Sequence, residues 1–211
     1  MSTIKARDIK VVFFDLGKVI LKFDHENIIE RLLSETPAAA RRPDEMFRVL
    51  FDHDDGLCNL YDKGAISSRD FHGEIEDRFA TGLSFEDFAP LWDDIFTEDE
   101  AVSRLIRRVR EKRPVFLLSN VNELHWEFAV RAFPVLSELD GLVLSYKIGE
   151  RKPDPGIFEA ALLMSGAGPG EAVFIDDLDT NVLAASSHGI HGVVFKGAEP
   201  LEDELLAIGL I

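Results

Sequence analysis

Residues 11–19 read VVFFDLGKV, four apolar residues in a row that run straight into an aspartate. A continuous apolar run suits a strand covered on both faces, as in a parallel sheet, whereas a half-exposed strand would alternate. The pattern recurs downstream. VFLL at 115–118 runs into Ser119-Asn120, AVFI at 172–175 runs into Asp176-Asp177, and LVL at 142–144 and VVF at 193–195 add two more runs. Between them, Val102, Leu105, Ile106 and Val109 fall on one helical face, as do Ile157, Ala160, Ala161 and Met164. Thr97 with Glu100 three residues later has the spacing of a capping box, and Pro114 separates that helix from VFLL. Strand, helix and strand in this order predict an α/β fold with a doubly wound, Rossmann-like parallel sheet.

Residues 21–96 follow another rhythm. Ile28, Ile29, Leu32 and Leu33, then Phe47, Leu50 and Phe51, then Phe71, Ile75 and Phe79 repeat at helical spacing with no strand-like run among them. The first strand precedes this stretch and the others follow it. Residues 1–20 and 97–211 are therefore expected to form one discontinuous core, and residues 21–96 a helical cap above the carboxyl edge of its sheet. Most aromatics of the cap are expected to fill its own interior and a few to line a substrate cavity.

The 211 residues, 46% of them hydrophobic, suffice for one substantial core and a modest second layer. A net charge of −16 repels phosphate backbones and anionic lipids over roughly 8 Å at physiological salt, which argues against nucleic acid and membranes as partners. A small anionic substrate would need a local cation. Cys58 is the single cysteine, so no intrachain disulfide forms, and no zinc spacing of Cys and His occurs. The apolar runs fall well short of a membrane span and MSTIKARDIK lacks the apolar stretch of a signal peptide, so a cytoplasmic location is expected. FDHDDG at 51–56 is not a calcium loop, because its glycine comes one position early and no glutamate stands twelfth.

Three of the runs end in polar clusters: Asp15-Leu16-Gly17, Ser119-Asn120 and Asp176-Asp177. In open parallel sheets the carboxyl ends of the strands form the ligand crevice, so these side chains should converge. Alone, each is an ordinary turn or helix-cap residue. Together they need a reason, because two carboxylates ~4 Å apart repel by about 4 kcal/mol at an effective dielectric near 20. A hard divalent cation removes that repulsion, and magnesium is the usual choice when a phosphate supplies a further ligand.

With these residues in view the sequence resembles the haloacid dehalogenase-like hydrolases over essentially its whole length. FFDLGKV is similar to the first family motif, LLSN to the second, ERKPD to the third and FIDDLDTN to the fourth, in order, with a helical insertion after the first. YDKGAIS at 61–67 and SNVNELHW are similar to the branch that includes an α-D-glucose-1-phosphate phosphatase. The resemblance implies a small phosphate ester as substrate, such as glucose 1-phosphate, and an aspartyl-phosphate formed on Asp15. It implies that Ser119, Asn120 and Lys152 bind the phosphoryl group, with Lys152 also neutralising Asp15. It implies magnesium on Asp15, Asp176, Asp177 and the Gly17 carbonyl, with Asn181 positioning the acidic loop.

The sequence departs from the family at Gly17, where a second aspartate usually serves as general acid and base. Such catalysis contributes about 3–5 kcal/mol, so poor leaving groups should suffer. If proton transfer limits turnover, Gly17→Asp should raise it. Gly17 also favours an alternative, a catalytically silent phospho-ligand sensor, distinguished by whether Asp15 becomes phosphorylated. A 2-haloacid dehalogenase has no use for Asp176-Asp177. His125, His188 and His191 read as loop or cap residues, with His125 the nearest to the expected crevice.

Overall fold

The run VVFF forms strand β1 (Val11–Phe14), buried at all four positions, in a computed structural model that describes residues 6–37, 42–52 and 54–211. Residues 1–5 of MSTIKARDIK and His53 of FDHDDG lie outside the described residues. After β1 the chain passes through β2 (Leu21–Lys22) into α1 (His25–Glu35), α2 (Pro43–Phe51), α3 (Leu57–Asp62), α4 (Ser68–Phe79) and α5 (Phe85–Asp93), and returns through β3 (Thr97–Glu98). Then follow α6 (Glu100–Arg110), β4 (Val115–Ser119), α7 (Glu123–Ala132), β5 (Gly141–Leu144) and α8 (Ser145–Ile148). The chain ends with α9 (Pro155–Ser165), β6 (Ala172–Asp176), α10 (Asp179–Ser187), β7 (His191–Val194) and α11 (Ala198–Ile208).

The five long strands form one parallel sheet in the order β5-β4-β1-β6-β7, so β1 lies at its centre. Side chains alternate across it, and both faces are covered. Val12 and Phe14 pack with Val102 and Ile106 of α6 and Leu205 of α11, while Val11 and Phe13 pack with Ile157 and Phe158 of α9 and Ala185 of α10. This two-sided burial is why the strands read as unbroken apolar runs. The register that pairs Phe14 with Ile175 sets Asp15 beside Asp176, and Ser119 ends the strand on the other side of β1.

The helices α1 to α5 bury a separate cluster that includes Ile28, Leu32, Met46, Leu50, Phe71, Ile75, Phe88 and Trp92. Local signals define their starts: Asp24 caps α1, and Ser67 and Asp70 form a capping box on α4. The chain enters and leaves this insertion through an antiparallel pair, with Leu21 opposite Glu98 and Lys22 opposite Thr97. That pairing corrects the expected capping box, because Thr97 is in a strand and Asp99 caps α6 through the N–H groups of Ala101 and Val102. Two other expectations change. Met164 and Phe47 are exposed, since Phe158 and Met46 take the buried positions on their helices. No helix among the described residues is long and apolar enough to cross a membrane.

Candidate active site

The register brings Asp15, Lys152, Asp176 and Asp177 together at the carboxyl edge of the sheet. Lys152 is 2% exposed, and its ammonium donates to Asp15 Oδ1 at 2.8 Å and to Asp176 Oδ2 at 2.6 Å. Asp15 Oδ1 also accepts the Leu16 N–H at 2.7 Å, and no hydrogen bond reaches Oδ2 among the described residues. One carboxylate oxygen is therefore anchored while the other is uncommitted. Burial pushes the Asp15 carboxyl up to about 7 against the pull of Lys152, and the Asp176 charge adds to the rise. Burial alone would lower the Lys152 value, but Asp15 and Asp176 outweigh it and keep the ammonium charged. One cation faces two buried carboxylates, so negative charge is left over.

Asp176 is fully buried, and both of its oxygens accept hydrogen bonds within the protein. Its Oδ1 accepts from Leu178 N at 2.8 Å, and Asn181 Nδ2 donates to both oxygens at 3.1 Å. Asn181 thus clamps the acidic loop. Asp177 instead lines the cavity, and burial together with Asp176 raises its carboxyl. One oxygen each from Asp15, Asp176 and Asp177 lies within 4.8 Å of the others, a set of hard donors suited to a divalent cation.

Ser119 is 1% exposed at the end of β4, behind the cavity wall, and its hydroxyl donates to Asn120 O at 3.3 Å. Asn120 lines the cavity, but its side chain serves Lys152: Nδ2 donates to Lys152 O at 2.8 Å, and Oδ1 accepts from Lys152 N at 2.7 Å. Gly17 also lines the cavity. The cavity, about 250 Å³, is also lined by Phe23, Phe51 and Trp92.

His125 lies in the cavity wall as a neutral ring. Its Nε2–H donates to Trp92 O at 3.1 Å and its Nδ1 accepts from Asn122 Nδ2 at 3.1 Å, while burial lowers its value to about 3. Both nitrogens are occupied, so it cannot shuttle protons. His188 stacks on Phe158 and His191 opens β7; neither lines the cavity.

Several cavity groups escaped the sequence reading. His25 stacks on Phe51 at 4.2 Å, Asp62 ends α3, and Arg151 precedes Lys152. Adjacency to Lys152 was the available signal for Arg151. Asp62 had none beyond its place in YDKGAIS.

A family model described as haloacid dehalogenase-like hydrolase matches residues 9–189. D-ribitol-5-phosphate phosphatase of Bacteroides thetaiotaomicron is 29% identical over 181 residues, covering 82% of this chain and 85% of that protein. A HAD family enzyme of the same species, crystallised in complex with magnesium and inorganic phosphate, superposes with a TM-score of 0.78 at 29% identity, over 89% of this chain and 94% of that one. A predicted HAD-like family hydrolase from Porphyromonas gingivalis superposes with a TM-score of 0.80 at 25% identity, over 94% of this chain and 98% of that one.

Proposed function

The chain belongs to the haloacid dehalogenase-like hydrolases, and from that premise we propose that it hydrolyses a small phosphomonoester, a phosphorylated sugar or sugar alcohol, through an aspartyl-phosphate on Asp15. The observation that carries this reading is the half-anchored Asp15 carboxylate, with Lys152 on one oxygen and the other oxygen uncommitted. The uncommitted oxygen attacks phosphorus in line, the P–O bond to the ester oxygen breaks and that oxygen leaves as the alcohol with a proton from water, and a water molecule then cleaves the acyl phosphate to free Asp15 and inorganic phosphate. Lys152 offsets charge on Asp15 and on the phosphoryl oxygens, and Asn120 fixes the Lys152 backbone so that the ammonium stays in place. The backbone of Asn120, which lines the cavity, would hold the phosphoryl group from the strand end, with Ser119 buried behind it. Carboxylate oxygens of Asp15, Asp176 and Asp177 with the Gly17 carbonyl would hold magnesium, which when bound offsets the charge of the phosphoryl group. The helices of 21–96 serve as a cap that excludes water from this chemistry.

Two likenesses support this substrate class, one to the branch with a glucose-1-phosphate phosphatase and one to a D-ribitol-5-phosphate phosphatase. Gly17 supports a second reading, a silent phospho-ligand sensor. Phosphate release from ribitol 5-phosphate, glucose 1-phosphate and aryl phosphates, with and without magnesium, for wild type beside Asp15→Asn separates the two. Magnesium-dependent release that the substitution abolishes supports the phosphatase. Absence of release from every ester by folded, phosphate-binding protein supports the sensor.

A further inference from the structure

One wall of the cavity carries two charged groups that the fold leaves unused. Asp62, at the end of α3, is partly buried and opens onto the cavity. Its Oδ1 accepts from Asn122 Nδ2 at 3.2 Å, and no hydrogen bond or ion pair reaches its other oxygen among the described residues. Arg151 lines the same cavity, close enough for its charge to act on Asp62. Among the described residues its guanidinium makes no ion pair or hydrogen bond, and its Nε is buried without a partner. Partly desolvated charges that are left under-partnered are costly, and a fold gains little by lining one cavity with both unless something that enters it satisfies them.

We propose that Asp62 and Arg151 form a subsite that reads adjacent hydroxyl groups on the alcohol portion of the substrate, which makes polyhydroxylated phosphate esters the preferred class. This rests on the phosphatase reading and deepens it. A guanidinium donates and a carboxylate accepts, and neighbouring hydroxyls of a sugar or alditol do both, so one short polyol segment satisfies the pair. An alkyl chain would leave both charges unpaired, and a second anionic group would meet the Asp62 carboxylate. Burial raises the Asp62 carboxyl to about 6, which leaves it ionised and accepting at neutral pH. Asn122, itself tied to His125, sets the carboxylate's direction from the α7 side, so the subsite forms when the helical insertion rests on the sheet edge.

The test compares ribitol 5-phosphate with n-pentyl phosphate, two esters of primary alcohols that differ in hydroxyl groups and little in leaving-group chemistry. Wild type should favour the ribitol ester in kcat/KM, and Asp62→Ala and Arg151→Ala should each cut that preference by about 10- to 100-fold, mainly through KM. Asp62→Asn, which keeps the shape, serves if the alanine variant does not fold. A preference that stays within threefold of wild type in both variants, or a loss falling equally on both esters, overturns the proposal. If wild type hydrolyses neither ester, the wider ester panel decides the phosphatase reading, and calorimetric binding of the same two esters decides the subsite. Tighter ribitol ester binding that Asp62→Ala abolishes supports it, and equal binding of both esters overturns it.

Discussion

Phe23 fills the space beside Gly17: a Cβ built on the glycine would stand 2.8 Å from the ring's Cε1. The ring is itself held edge-on against Phe96 at 5.7 Å and His25 at 5.1 Å. An aspartate at 17 therefore cannot enter without displacing an aromatic cluster. Gly17→Asp alone should lower stability by about 1–3 kcal/mol, the usual cost of overpacking, and should not raise turnover. Combined with Phe23→Ala it should regain part of the melting temperature and hydrolyse alkyl phosphates faster than Phe23→Ala alone. A faster single variant with an unchanged melting temperature would show that the ring moves aside freely.

Lys152 is the one ammonium between Asp15 and Asp176. Lys152→Met leaves two buried carboxylates facing each other, and breaking such a pair typically destabilises by about 3–5 kcal/mol. Asp15, already raised by burial, then loses the charge that opposed the rise, so stability is lost as pH rises and returns as it falls. The melting temperature should drop more at pH 8 than at pH 5, and turnover should fall by about 10²-fold or more. An equal drop at both pH values would mean that water reaches the carboxylates.

His125 should stay neutral throughout the working range. Its value is lowered to about 3 from 6.5, so the stability it contributes is complete above about 6.5 and declines as pH falls towards 3. Nitrogen NMR should find the Nε2–H tautomer unchanged from pH 8 to pH 5. A titration midpoint near 6.5 would contradict the enclosed ring. His125→Phe, which keeps the stack on Trp92, should flatten the acid limb of the stability profile.

Asp93 ends α5 with Oδ1 buried and unpartnered among the described residues, and burial raises its carboxyl to about 7 although Arg131 opposes the rise. An acid whose folded value is raised loses stability as pH climbs from its unfolded value through the folded one. Asp93→Asn should therefore stabilise more at pH 8 than at pH 5, by about 2 kcal/mol in differential melting. A gain independent of pH would point to helix propensity instead.

The sheet was legible because strands covered on both faces leave unbroken apolar runs, and the meeting of Asp15 with Asp176 followed from their places at neighbouring strand ends, whereas Ser119 shares the strand-end position but stays behind the cavity wall. The tether was not. β2 and β3 are two residues each, too short for any periodicity to register, and Thr97 mimicked a cap that Asp99 provides. Asp62 and Arg151 were invisible for another reason: they line one cavity from opposite sides of the boundary between insertion and sheet, a juxtaposition that no local pattern encodes. The same holds for Asn120, whose side chain turns to Lys152, thirty-two residues away in sequence.

The chain crosses between sheet and helical insertion twice, side by side, as the β2–β3 pair, with Lys22 joined to Asp99 at 2.8 Å beside it. A single strand would let the insertion swivel; a doubled ribbon bends across its thin direction and resists twisting. The doubled crossing thereby limits how the insertion can turn relative to the sheet, and holds Asp62 of α3 against Asn122 at the start of α7, in the wall of the cavity that Asp15 also lines.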